Sequence, residues 1–365
     1  MNKFLFLSIT ILLNSSLLNA QKKNNANSTA DGKKCLVFDD QFDTFNLKNW
    51  KHDITMSGGG NWEFQWYTNN RTNSFVENGV LYLKPTFTAD FMGEDAMKNG
   101  GELNLWNGEP GTTCTDNSNY GCERTSGQAS GGNYINPIQS ARIKTLDSVA
   151  IRYGRVEVRA KLPRGDWLWP AIWMMPKYSS YGTWPASGEI DIMESRGNVD
   201  DYPYGNVSTV STTLHWGPNY FLNRYNLTHA SVKSKKGTFA DDFHTYALEW
   251  NEKGLTTTVD NTTILSVPFD QSFWQKGKYT NSTTNPWAAG TPAAPFDQEF
   301  YLIINLAVGG LNNYWPDHPI KPWTLKDEHP ANKFWDAKDK WLPTWGKGND
   351  RALAIDYVKM WSYDC

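Results

Sequence analysis

The chain reads as an all-β protein, and two features of its sequence predict this. From Cys35 onward, short apolar runs alternate with clusters of Gly, Asn, Asp and Pro, the punctuation of strands and turns. Apolar patterns of helical period are few, the clearest being a short one near 331–336. In chain order, strands are expected at 80–84, 155–160, 245–250, 255–259, 300–307 and 355–361. Residues 91–133 are poor in strand signals and read as an inserted surface loop. No internal repeat or second domain stands out, so 35–365 is expected to be one enlarged β-domain.

The first residues resemble a secretory leader: Lys3 supplies the positive end, 4–13 an apolar run and Ala20 a cleavage point. Residues 1–20 are therefore expected to be a signal peptide, and 21–34, polar and rich in Asn and Lys, a disordered linker. No later segment offers the roughly 18 consecutive apolar residues of a membrane span. A secreted, extracellular protein with no membrane partner is the expectation. Secretion makes the four cysteines candidates for oxidation. Cys114 with Cys122 would staple a local loop and leave Cys35 with Cys365 to tie the ends, though the other two pairings stay open. Sequons stand at Asn27, Asn70, Asn206, Asn226, Asn261 and Asn281. The formal net charge of −3 argues against nucleic acid or a sulphated polymer as partner.

The most informative run is Glu189-Ile190-Asp191-Ile192-Met193-Glu194, which follows Ser187-Gly188. Its β-branched residues favour a strand, on which Glu189 and Asp191 share a face. Glu194, five residues past Glu189, would face the other way unless a bulge near Met193 absorbs one residue. A helix would not gather these offsets on one face. Three carboxyls in a row suit glycoside hydrolysis, where a retaining enzyme holds nucleophile and acid/base roughly 5–5.5 Å apart. Glu189 is the candidate nucleophile, Asp191 its orienting neighbour and Glu194 the acid/base, with clustered charge raising at least one pKa and Glu194 expected to hold the proton. A solvated sheet face or calcium ligation remain the alternatives for such a row. The chain also carries 18 tryptophans, more than a core is expected to need. Trp169, Trp173 and Trp184, just before the row, are expected to be platforms for sugar rings, with Trp62 and Trp66 as weaker candidates.

With its flanks, 182–198, this run closely resembles glycoside hydrolase family 16, and within it the laminarinases (endo-1,3-β-glucanases) and the animal β-1,3-glucan-binding proteins. The segments 60–65, 153–161, 167–173, 213–217 and 300–310 resemble the same group and fall in its order. The resemblance implies a β-jelly roll sandwich of two curved antiparallel sheets with a concave substrate cleft, and a retaining endo-1,3-β-glucanase or a non-catalytic recognition protein. Non-catalytic relatives commonly replace the acids, whereas all three are present here. It also implies hydroxyl contacts from Asn61, Glu63 and Arg142, and a place for His215 near the reacting carbon. No cofactor is implied for catalysis. A structural calcium is implied at Asp356 with the Gly79 carbonyl, the partner is a β-1,3-glucan, and a monomer is expected.

Overall fold

Alternation of side chains builds the two large sheets. In Gly154–Lys161, Val156, Val158 and Ala160 are fully buried while Arg155, Glu157, Arg159 and Lys161 are half-exposed, the period of two that a one-sided strand requires. This strand lies in an eight-stranded antiparallel sheet whose order is Thr262–Pro268, Gly254–Val259, His244–Asn251, Gly154–Lys161, Leu353–Ser362, Val80–Leu83 and Ser74–Glu77. The strand Cys35–Asp40 also pairs with Leu353–Ser362. The second sheet has seven strands in the order His229–Lys233, Thr209–His215, Glu189–Ser195, Leu168–Pro176, Phe300–Val308, Arg142–Lys144 and Lys51–His52. All six expected strands are present, and the expected short helix is Pro330–Asp336.

These are features of a computed structural model that describes residues 34–108, 112–199, 202–280 and 282–364. The expected signal peptide, nearly all of the expected linker, Cys365 and the sequons at Asn27 and Asn281 lie outside the described residues. Residues 34–365 form one compact unit. Its core joins the inner faces of both sheets, with Val156, Leu248 and Leu255 from one meeting Ile172, Ile190 and Ile304 from the other. The arrangement is the β-jelly roll sandwich that the resemblance implies.

Two expectations need correction. Residues 91–133 are more than a loop: they follow into a helix at Glu94–Lys98 and a hairpin of Glu102–Asn104 with Glu123–Thr125. A Cys114–Cys122 disulfide staples it, Cα–Cα 5.5 Å. Strands this short carry too little pattern to be read. Cys35 is also disulfide-bonded. The tryptophans, secondly, are mostly core: 12 of the 18 are buried, among them Trp66. Many gather in an aromatic cluster where Phe64, Trp167, Trp323, Phe334 and Trp341 meet edge to face or stacked. The sequon residue Asn206 is buried too, and its side chain accepts a hydrogen bond from the Ser208 amide.

Candidate active site

The row of acids lies on the second sheet, and a bulge sets its geometry. Asp191 pairs with Thr213 and Glu194 with Ser211, so Ile192 and Met193 together oppose the one residue between, Thr212. The Thr212 hydroxyl closes the bulge by donating to the Asp191 carbonyl at 2.6 Å. The pairing with Leu168–Pro176 shifts at the same place. Ile190, Ile192 and Met193 are all fully buried in the core. Two adjacent apolar residues thus point inward, and Glu189, Asp191 and Glu194 share the outer face.

Each glutamate is held by an indole. Trp184 Nε1 donates to Glu189 Oε2 at 3.0 Å, and Trp169 Nε1 donates to Glu194 Oε1 at 2.9 Å. His215 Nε2 lies 3.3 Å from Asp191 Oδ2 and 3.6 Å from Glu189 Oε1. Burial, then the neighbouring Asp191 charge, pushes the Glu189 carboxyl up to about 8. Asp191 is raised well above the usual range by burial and by Glu194, and is hydrogen-bonded to Glu189. Two buried carboxyls this close share a proton, since both cannot ionise cheaply. The pKa elevation therefore falls on the Glu189–Asp191 pair.

A residue that the sequence did not single out fixes the state of His215. Asn223 Oδ1 accepts from the amides of Trp216 and Tyr225, which leaves its NH2 to donate to His215 Nδ1 at 2.8 Å. Nδ1 is then the acceptor and Nε2 carries the proton toward the carboxylates. Glu189, Asp191 and His215 bring ligand-type atoms within 4.8 Å of one another. With Nε2 protonated, the imidazole has no lone pair to offer a metal there.

Strand register extends the site across the sheet. Ser211, Glu194, Ala171, Asn305 and Arg142 form one cross-strand row. Ala171, the smallest side chain of the row, stands between Glu194 and Asn305. Trp173 Nε1 donates to Asn305 Oδ1 at 2.6 Å, and Asn305 Nδ2 donates to Tyr67 OH at 3.2 Å. The Arg142 guanidinium stands 4.6 Å from the Tyr67 ring centre and 3.8 Å from Glu63, whose Oε1 accepts from Asn61 Nδ2 at 3.1 Å. Residues 58–60 wrap this group with three consecutive positive φ angles of 70°, 59° and 80°, a path that favours glycine. A Cβ on Gly59 would sit 2.5 Å from Glu63 Oε1. Asn61, Glu63, Arg142, Trp173, Trp184 and His215 are thus gathered in two adjoining clusters. Asn305 and Tyr67 complete them, and Asn305 was legible only as a polar residue inside an apolar strand.

Two expected site residues have other surroundings. Trp169 is 7% exposed, and its face is covered by Tyr314, stacked 3.9 Å away between centroids. It orients Glu194 and presents no open ring face. Tyr314 is capped in turn by the Arg196 guanidinium at 3.8 Å. Asp356, the expected calcium ligand, pairs with Arg159 Nη1 at 2.5 Å, while Gly79 occupies a left-handed turn with φ 74°. With a guanidinium already on its carboxylate, Asp356 does not fit a divalent cation site. Trp62, by contrast, is 51% exposed.

A two-sheet sandwich here gathers carboxyl, amide, guanidinium and indole groups along one face, a layout shared with carbohydrate-active folds. The comparisons agree: the profile of the glycosyl hydrolases family 16 matches residues 97–299, and the chain belongs to that family. It is 49% identical over 338 residues to a beta-1,3-glucan-binding protein of Penaeus monodon, covering 90% of this chain and 91% of that one. A glucan endo-1,3-beta-glucosidase A1 of Niallia circulans is 33% identical over 75% of this chain and 34% of its own length. Beta-1,3-glucan-binding protein 2 of Manduca sexta is 31% identical, and the chain spans 65% of its length. Among solved structures, the laminarinase catalytic domain of Thermotoga maritima superimposes with a TM-score of 0.57 at 26% identity, covering 90% of this chain and 98% of that one.

Proposed function

We propose that the chain is an extracellular endo-1,3-β-glucanase that cuts laminarin-type glucans with retention of configuration. The observation that carries this reading is the bulge at Ile192–Met193, which sets Glu189 and Glu194 on one face with Asp191 between them. In the first step a Glu189 oxygen attacks the anomeric carbon while Glu194, as its acid, protonates the departing glycosidic oxygen. Glu189 and Asp191 share one proton, and Glu189 attacks from the form in which that proton is on Asp191. In the second step Glu194 takes a proton from water, and that water displaces Glu189 from the anomeric carbon. The indole N–H groups hold both glutamates in place, and His215 Nε2 lies 3.3 Å from Asp191 Oδ2. No metal or organic cofactor takes part.

A second reading, recognition of β-1,3-glucan without cleavage, is favoured by the name that the 49%-identical Penaeus monodon relative carries. Against it stands the carboxylate row: a surface that only binds neutral sugar has no use for three acids gathered by a bulge onto one face, and all three are present here. Reducing-sugar release from laminarin by the wild type and by Glu189→Gln separates the two. The enzyme reading expects release that collapses in the variant while polymer binding is kept. Binding without any release by the wild type would establish recognition alone.

A further inference from the structure

The connection between Thr209–His215 and His229–Lys233 carries an unusual display of exposed aromatic surface. Phe221 is 90% exposed, Tyr220 68% and Tyr225 45%. Single exposed apolar residues are common, but a cluster of large ones marks a binding surface. The backbone that carries these rings is firmly built. Asn219 Oδ1 accepts from the amides of Phe221 and Leu222 at 3.1 and 3.2 Å, and Tyr279 OH donates to the Leu222 carbonyl at 2.8 Å. Ordering the loop around two outward rings lowers the entropic cost of anything that binds there.

The rings also continue the site. Trp184, which bonds Glu189, lies 5.8 Å from the Tyr220 ring, and Tyr220 lies 5.5 Å from Phe221, at 88° to it. The step from Glu189 outward is therefore Trp184, Tyr220, Phe221. The geometry points to a stacking platform on the cleft rim, made by Tyr220 and Phe221, for neutral β-linked glucose units of a chain already engaged at the carboxylates. This rests on the glucan reading above and adds to it the residues that sense chain length. Pyranose rings offer C–H faces to aromatic rings. Nothing in the fold is braced by Phe221, so its removal tests binding without touching the core.

The experiment measures, by titration calorimetry, the binding of β-1,3-linked glucose oligomers of graded length to the uncleaving Glu189→Gln protein. A second protein adds Tyr220→Ala and Phe221→Ala, and a third adds the ring-preserving Tyr220→Phe and Phe221→Tyr. The platform predicts that the alanine protein binds the longest oligomers roughly tenfold more weakly. The shortest oligomers should bind unchanged, and the ring-preserving protein should match its parent. The same length dependence with and without the rings would overturn it, as would an equal loss at every length. Wild-type self-association that the alanine changes abolish, with oligomer affinity intact, would assign the patch to a second copy and also overturn it. If the length effect holds while the wild type releases no reducing sugar, the platform stands and only the hydrolytic reading falls.

Discussion

Replacing the candidate nucleophile should make the protein more stable, and increasingly so as the pH rises. Glu189 is raised from 4.5 to about 8, chiefly by burial and by Asp191. Between those values the folded chain keeps a proton that the unfolded chain has released, so wild-type stability falls as pH rises through the window and levels off above 8. Each unit is worth about 1.4 kcal/mol, so the full window carries a ceiling of about 5 kcal/mol. The Glu189 side chain is 16% exposed and shares its proton with Asp191, which brings the expected figure to roughly 3 kcal/mol. Glu189→Gln keeps an oxygen for the Trp184 N–H and turns an NH2 toward Asp191, whose Oδ2 is buried without a hydrogen bond. Urea unfolding of oxidised protein at pH 5 and pH 8.5 reads the effect. The gap in unfolding free energy between variant and wild type should widen by roughly 3 kcal/mol from the lower to the higher pH. A gap that stays constant, or a variant less stable at pH 8.5, would refute the claim that Glu189 is held at the expense of stability.

Two further predictions concern the cleft floor and the imidazole. Ala171→Leu should push a larger side chain between Glu194 and Asn305 in this cross-strand row, lowering kcat/KM on laminarin by roughly 100-fold. Asn223→Asp removes the donor to His215 Nδ1, so the proton should move to Nδ1 and leave Nε2 bare toward Asp191. Nitrogen NMR of the labelled imidazole should show that change of tautomer, with an activity loss of about tenfold or more; an unchanged tautomer would remove Asn223 from its assigned part.

Legibility in the sequence followed the range over which each signal acts. The bulge could be read because Ile190, Ile192 and Met193 must all be buried while the three acids must not, and only an extra residue reconciles the two demands. Alternation marked Gly154–Lys161 and Gly254–Val259, whereas Phe300–Val308, buried at all but Tyr301, was visible as a nearly continuous apolar run. The tryptophans misled because indole serves a core and a sugar cleft equally well, and only the fold shows that Trp169 lies beneath Tyr314. Asp356 matched a motif, but its partner Arg159 comes from a strand almost two hundred residues earlier in the chain. Asn223, Asn305 and Tyr67 act through contacts between distant segments, and no local pattern distinguishes them from other polar residues.

The division of labour between the two glutamates is tested most directly by azide rescue on an aryl β-glycoside of a β-1,3-linked glucose oligomer. Without its nucleophile, Glu189→Ala should let azide displace the aryl group from the opposite side and yield the α-glycosyl azide. Without its acid/base, Glu194→Ala should still form the glycosyl-enzyme, which azide then opens to give the β-glycosyl azide. The reverse pairing of variant and product, or a wild type inert toward the glycoside, would contradict the account.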